Sequence, residues 1–534
     1  MVVFGIGLGY HVQRLLELVD IHHLFIYEPS ETLFSISLAT FDWASLGDRL
    51  LRPGRTFGVV NNLGGKQGGD ALVGLLRQVA QSHIHGARAL LHYDTPDMSE
   101  AAAAIQRAMP IILTPRGYYK DQRRQILHTH QNLAKATGWI ARRWPVVPDT
   151  DLVVVGSGPS LNDSIKLIRE IRERCVVMTC GSAIRPVLRG GILPDFHLEL
   201  ETAPEAMAFF RSLDDPNVLR SIACIGSAGV YPEMLDLFSE AFLYPRIGVT
   251  CTTMLAHAAE ALNYSDPTVG NSGAALGLAL GFSRVTLVGM DLGFRDVKRH
   301  HADNTVYIDD DTGEVRTDFK HIGLEMPMLG FDDKTGYHPI TAVTGETITT
   351  NDLFLYGIRS LETLISASKD AGAILQCSDG AAIAGALNLT VDQVDRRIYR
   401  GTRTGALAMM RSRFEQPPTL IPGYRAAFDL TLRQLREIST ILHAIMTPAP
   451  RTRAELLVAS QRTNHLLLGS LLAQAPGVVE LLGGTLFSFF QVAVQRSLMA
   501  ADGGELDRLL SAIDQAFHQA VDRMRQDIES LAVA

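Results

Sequence analysis

The sequence predicts an α/β chain whose central part is built on a mostly parallel sheet and whose C-terminal part is an α-helical bundle. Three observations carry this. Short apolar runs that end in glycine turns open the chain and recur at 152–160, each followed by a helical pattern; strand, glycine turn and helix are the parts of a parallel-sheet unit. Further β-branched runs alternate with helical stretches as far as Cys377, the order expected when helices cover a parallel sheet. From about residue 400 strand patterns stop and apolar residues recur at helical spacing.

At 534 residues the chain has room for about three domains. The expected divisions are a Rossmann-like domain over 1–147, a central domain over 148–398 and a helical domain over 399–534. Trp144, Pro145 and Pro148 mark the first boundary. A hydrophobic share of 46% with 20% charged residues suits a folded globular chain. The balance of 49 basic to 57 acidic residues, net −8, with no long basic run, argues against nucleic-acid and anionic-membrane partners. Five cysteines without a CxxC pair suit reduced, buried thiols and a cytoplasmic location. No basic stretch followed by a long apolar core opens the chain, so no secretion signal is expected. The most apolar late stretch, 478–494, contains Glu480, Gly483, Gly484 and Gln491 and reads as a buried helix rather than a membrane span.

At the N-terminus, Val2 to Phe4 predict a strand, Gly5, Gly7 and Gly9 a turn, and 11–19 a helix. Leu24 to Tyr27 give a second strand with Glu28 at its end, where a dinucleotide fold holds a ribose. Tyr10 stands where the last glycine of GxGxxG belongs, which favours a structural remnant over a working site. Helices are expected over 101–109 and 119–139.

The central stretch 151–202 is the most informative. The strand 152–155 runs into Gly156, Ser157, Gly158, Pro159 and Ser160, then a helix with Ile165, Ile168 and Ile171 on one face. Backbone N–H groups and the helix dipole favour an anion at such a turn. The same pattern also serves as a plain tight connection. Ser160 and Asp163 have capping-box spacing. Strand 175–179, helix 182–189 and strand 196–201 follow; alternation puts His197, Glu199 and Glu201 on one face, costly for a buried strand unless they meet a partner or ligand. Two short strands are expected near 222–225 and 241–243.

At 268–294, Asn271, Ser272 and Gly273 open a helix of small residues, and the strand 285–288 ends in Gly289, Met290 and Asp291. Ligands of open α/β sheets bind beyond the carboxyl ends of strands, which places these residues like the 156–160 turn. Between 295 and 350 the pattern loosens. It contains His300, His301 and Tyr307, and then Asp309, Asp310 and Asp311 before Gly313. Asp-x-Asp can hold a metal, but a hairpin turn between strands 306–308 and 315–317 explains it without one. A helix near 350–366, a strand at 374–377 and the turn Ser378-Asp379-Gly380 close the domain. Helices separated by Pro448, Pro450, Gly503 and Gly504 complete the chain.

The ordered motifs GSGPSL, GILPDFHLELET, NSGAALGLALGFSRVTLVGMDLGF and SDGAAIAGA resemble those of motility-associated factor (Maf) proteins over roughly 150–390. The central domain is also similar to bacterial sialyltransferases, which share the GxGPSL turn. The resemblance implies transfer of a nonulosonic acid, pseudaminic or legionaminic in type, from a CMP-activated donor to Ser or Thr of flagellin, for flagellum assembly and motility. It implies no firm cofactor and no required metal. By position, Gly156, Ser157, Gly158, Pro159 and Ser160 would cradle phosphate; Asn271, Ser272 and Gly273 would line the donor pocket with Glu201 close by. Glu199, Asp291, His300 and His301 are the catalytic candidates, with His338 and Glu346 as further possibilities for the base. The central domain also resembles archaeal hydroxymethylpterin pyrophosphokinases, which would need ATP and Mg²⁺. A flagellin-binding, chaperone-like role is the non-enzymatic alternative.

Overall fold

The glycine-ended apolar runs become parallel strands in both halves of the chain. The computed structural model describes all residues except 52–54, 85, 114–116, 141–142, 256–260, 326–335, 369–371, 416–419 and 532–534. The chain forms two compact units, Met1–Lys120 with Asp429–Ala532, and Asp121–Phe428.

In the first unit, β1 (Val2–Phe4), β2 (His23–Glu28), β3 (Thr56–Asn61) and β4 (Ala89–Leu91) form a parallel sheet in the order β3-β2-β1-β4. Alternation splits its core in two. Val2 and Phe4 pack with Leu72 and Leu76 on one face, and Val3 packs with Val12 and Leu16 on the other. Glu28, fully buried, accepts the Ile6 N–H and the Ser30 N–H, both at 3.0 Å, and the Tyr93 hydroxyl. The carboxylate that could have held a ribose is thus bonded to its own glycine turn.

The same unit holds the helices Arg453–His465, Pro476–Met499 and Gly504–Glu529. The Ala80 N–H donates to Gln461 Oε1 at 2.8 Å, and Ser82 bonds Ser460 at 2.6 Å. Pro476–Met499 is long and apolar enough to cross a membrane, but 61% of its most apolar window is buried in the protein. Phe490 meets Phe517 of the next helix at 5.5 Å between ring centres, as expected of a core helix.

The second unit carries β5 (Gly138–Trp139), β6 (Val147–Val155), β7 (Val176–Cys180), β8 (Phe196–Glu199), β9 (Ala223–Ser227), β10 (Glu240–Tyr244), β11 (Phe282–Val288), β12 (Tyr337–Thr341), β13 (Thr347–Asn351), β14 (Ala373–Cys377) and β15 (Leu387–Leu389). Nine of them form one sheet, β15-β14-β11-β6-β7-β8-β9-β10-β5, parallel throughout. Both faces are covered: Leu152 and Val154 face one core, Val153 and Val155 the other. That is why β6 reads as an unbroken apolar run. The helix Val269–Ala279 lies close on the sheet; a Cβ on Gly273 would sit 2.6 Å from Val154. All five cysteines are buried and unpaired with one another.

Some expected elements differ. The helix expected to reach Trp139 ends at Lys135, and Gly138–Trp139 is the edge strand β5. The strand expected over 196–201 stops at Glu199, whose Oε1 accepts the N–H groups of Leu200 and Glu201 and turns the chain out of the ladder. The strands expected around the Asp-rich turn reduce to one bridge, Ile308 with Val315. The turn itself forms: Asp309 accepts from the N–H groups of Asp311 and Thr312. The antiparallel pair β12–β13 had no sequence signal strong enough to read.

The chain runs from β6 through β7, β8, β9 and β10 to one side, then returns to place β11 on the other side of β6. The strand order therefore reverses between β6 and β11, where open α/β sheets form their crevice. There the Gly156 N–H donates to Val288 O and the Gly158 N–H to Gly289 O, both at 2.8 Å. A Cβ on Gly156 would lie 2.5 Å from the Gly289 carbonyl oxygen, a backbone atom that cannot step aside. We expect Gly156→Ala to cost about 1–3 kcal/mol, measured as a lower midpoint of urea or thermal unfolding.

Candidate functional site

The carboxyl ends of the adjacent parallel strands β11, β6, β7 and β8 lie side by side at one edge of the sheet, where open α/β sheets form their crevice. From β6 comes the 156–160 turn, and from β11 the loop Gly289, Met290 and Asp291. Asp291, 4% exposed, accepts the Ser160 N–H at 2.9 Å and the Ser160 hydroxyl. The Ser160 hydroxyl is therefore directed to Asp291 and makes no cap for the helix Leu161–Ile171, so the capping box read from the sequence does not form. The Leu161 and Asn162 amides bond the carbonyls of Gly158 and Pro159. The helix end predicted to receive a phosphate thus already holds an anion from the chain itself. Burial raises the Asp291 pKa to about 6, against the opposing pull of the Ser160 bonds.

From β7 come Gly181 and Ser182. The Ser182 hydroxyl donates to Ser157 Oγ at 3.0 Å. From β8 come Glu199 and Glu201. Glu199 Oε1 takes the backbone N–H groups of Leu200 and Glu201 at 2.7 and 3.1 Å. Its Oε2 lies 3.7 Å from His197 Nε2 and 4.0 Å from the Cβ position of Gly181. Glu201, beyond the strand end, caps the N–H groups of Thr202 and Ala203, and desolvation followed by the nearby Glu199 charge raises its pKa. His197 is fully buried, bonded to Thr179 and stacked on Phe238; of the three residues expected on one face, it belongs to the core.

The segment after β11 folds back over the ends of β6 and β7. The Ala302 N–H donates to the Ser157 carbonyl at 2.8 Å. Asp310 pairs with Arg185 and Arg189, at 2.8 and 3.0 Å, on the helix Ile184–Arg189. This brings Tyr307 against Ser182, close enough to Glu199 and Glu201 that, after burial, their charges raise its pKa. His301 stacks on Tyr307 with ring centres 4.0 Å apart. Burial, then His300, pushes the His301 pKa down to about 3, so its ring stays neutral at physiological pH.

Asn271 and Ser272 are fully buried at the start of the helix Val269–Ala279. Asn271 Nδ2 donates to the Gly357 carbonyl and Ser272 Oγ to the Ser265 carbonyl. Their polar atoms tie the helix start to neighbouring chain, while Gly273 packs on the sheet. Of the further candidates for the base, His338 bonds Asp352 at 2.6 Å on the hairpin and Glu346 pairs with Arg295. Among the described residues no group of three His, Cys, Asp or Glu side chains is placed to hold a metal ion.

The structure thus brings together Ser157, Ser182, Glu199, Glu201, His301 and Tyr307. Ser182 had no motif signal of its own. Tyr307 stood in the loosened segment, where nothing local shows that the chain returns to the sheet.

Residues 1–114 match the family model for the glycosyltransferase Maf N-terminal domain. Residues 125–297 match the model for 6-hydroxymethylpterin diphosphokinase MptE-like proteins. The solved structure of a Maf glycosyltransferase from Magnetospirillum magneticum AMB-1 superposes with a TM-score of 0.75 over 99% of this chain and 78% of its own, at 22% identity. No curated protein matches the chain significantly. Residues 1–114 are thus similar to the N-terminal domain of Maf glycosyltransferases, and the chain as a whole carries the fold of the solved Maf structure.

The raised pKa of Asp291 fixes a sign. Between the ordinary carboxylate value of 3.8 and about 6, the folded chain binds more protons than the unfolded one, so this group's contribution to stability falls as pH rises. We expect the melting temperature of the wild type, minus that of Asp291→Asn, to shrink from pH 4 to about 6 and then level off; a flat difference across that range would contradict the assignment.

Proposed function

We propose that the crevice at the β6–β11 reversal transfers a nonulosonic acid from a CMP-activated donor to a Ser or Thr hydroxyl of flagellin. The observation that carries this reading is the run of hydroxyls, Ser157, Ser182 and Tyr307, across the ends of β6 and β7 and beside Glu199. A CMP-sugar presents a single phosphate and a carboxylate, which neutral hydroxyl donors suit. The motif resemblance supplies the donor and acceptor classes.

In this reading Glu199 Oε2 takes the proton of the acceptor hydroxyl as its oxygen bonds the anomeric carbon. The bond from that carbon to the phosphate oxygen breaks, and the phosphate leaves with CMP. Tyr307, backed by Ser182, donates a hydrogen bond to the phosphate as negative charge gathers on it. Asp291 acts at one remove, holding the 156–160 turn in place through Ser160. The neutral His301 ring fixes the tyrosine by stacking.

With purified flagellin as acceptor and intact-mass readout, Glu199→Gln is expected to lower kcat about 100-fold or more and Tyr307→Phe about 10- to 100-fold. Both should keep the thermal stabilisation given by CMP, because neither change removes the folded crevice. Loss of CMP stabilisation in either variant would mean that the residue holds the fold or the nucleotide instead.

The diphosphokinase-type model over 125–297 favours a second reading, pyrophosphoryl transfer from ATP. Thermal titration separates the two. Stabilisation by CMP that does not depend on Mg²⁺ supports the sugar transferase, and stabilisation by ATP only with Mg²⁺ supports the kinase.

A further inference from the structure

The helices Leu420–Ile445 and Gly504–Glu529 meet at a pair of histidines. His443 stands in the last turn of the first helix. On the second, Asp514, His518 and Asp522 recur at four-residue spacing, which puts all three on one face. The four side chains belong to the first unit. His443 Nδ1 and His518 Nδ1 face each other at 2.5 Å. The ring planes differ by only 15°. Nitrogens closer than two stacked rings can come, in nearly parallel planes, mean that the rings meet edge to edge, lone pair toward lone pair.

The outer nitrogens settle where the protons lie. His443 Nε2 is 3.2 Å from Asp522 Oδ1, and His518 Nε2 is 3.5 Å from Asp514 Oδ1. A carboxylate only accepts, so each Nε2 carries a proton, and in a neutral ring Nδ1 is then bare. Asp514 Oδ1 is buried with no hydrogen-bond partner among the described residues, which strengthens its hold on the His518 proton. Two bare nitrogens turned toward each other repel unless an electron-poor atom lies between them. A carboxylate behind each ring is how proteins orient histidines that ligate a metal. The local charge favours a cation: Asp514, Asp522 and Glu529 stand against Arg525 and Arg436. The His443 and His518 side chains are 29% and 30% exposed, so solvent reaches the pair.

We propose that His443 and His518 bind a divalent transition-metal cation of the zinc class through their Nδ1 atoms. Asp522 and Asp514 position the rings, and water completes the coordination shell. Tetrahedral zinc, with Zn–N about 2.0–2.1 Å, sets two ligand nitrogens about 3.3 Å apart, so binding parts the pair by less than the width of an atom through rotation of the two side chains. Two protein ligands are fewer than a closed structural site uses, which makes this an exchangeable site that ties the end of one helix to the middle of another. It lies in the first unit and does not rest on the transfer reading.

In calorimetric titrations of the full chain with zinc chloride, the wild type is expected to take up one equivalent that is missing from His443→Gln and from His518→Gln. Zinc should also raise the melting temperature of the wild type with occupancy and leave that of both variants unmoved. Asp522→Asn, with both ligands kept, should weaken the uptake about 10-fold or more; unaltered affinity there would overturn its positioning role. No saturable uptake by the wild type, as for a pair bridged by a proton alone, or uptake unchanged in both histidine variants would overturn the site itself. Should the variants fail to fold, imidazole ¹⁵N shifts of the wild type decide. Zinc should move the Nδ1 signals of His443 and His518 and leave their Nε2 atoms protonated. Movement confined to other histidines, or ligation through Nε2, would refute the proposal.

Discussion

The bond between Asp291 and Ser160 is the constraint on which the second unit depends. It closes the point where the sheet reverses direction, since β6 and β11 are neighbours in space but were made far apart in the chain. The 156–160 turn must present glycines there, because the facing loop of β11 leaves no room for side chains. A carboxylate in a dry site is costly. Two donors from one serine offset part of that cost, and the raised pKa of Asp291 records what is left. The N-terminal unit uses the same device. Glu28, at the end of β2, accepts the Ile6 N–H from the glycine turn of β1.

These two carboxylates explain why glycine turns are uncertain guides to ligands. A strand followed by a glycine turn and a helix exposes backbone N–H groups, and an anion is favoured there. The sequence does not say whether the anion is a ligand or a neighbouring side chain. In both units the neighbouring side chain is in place. The difference lies in what else stands at the strand ends. Beside Glu28 the Tyr93 hydroxyl is turned onto the same carboxylate. In the second unit, Ser182 and Ser157 bond each other, and Tyr307 reaches them from a segment held down by Arg185 and Arg189.

Much of the fold was legible because it is written in local periodicity. β6 reads as buried on both faces because it is, and the small residues of 269–279 read as close packing because Gly273 lies against Val154. The Asp-rich turn was legible from turn chemistry alone. What could not be read was contact between distant stretches. Nothing near Asp291 says that it will bond Ser160, and nothing near Ser182 says that a loop after β11 will bring Tyr307 to it. Asn271 and Ser272 illustrate the converse. They sit near a strand end, as site residues would, yet their polar atoms are turned to carbonyls of their own chain.

Charge balance at the crevice bears on what it can hold. Arg185 and Arg189, on the helix after β7, are engaged with Asp310, and Arg189 also with Asp214; the Asp310 pairs anchor the overlying segment. The donors on the side of Ser157, Ser182 and Tyr307 are neutral hydroxyls, and the acceptors, Glu199 and Glu201, stand together at the end of β8. Neutral donors of this kind favour a phosphate modestly in the ground state, and the benefit grows as charge gathers on a leaving oxygen. In the proposed transfer the carboxylates are suited to the other end of the reaction, where a hydroxyl must give up its proton. With donors on one side and acceptors on the other, the transfer proposed above has a direction: its leaving group departs over β6 and β7, and its acceptor enters over β8.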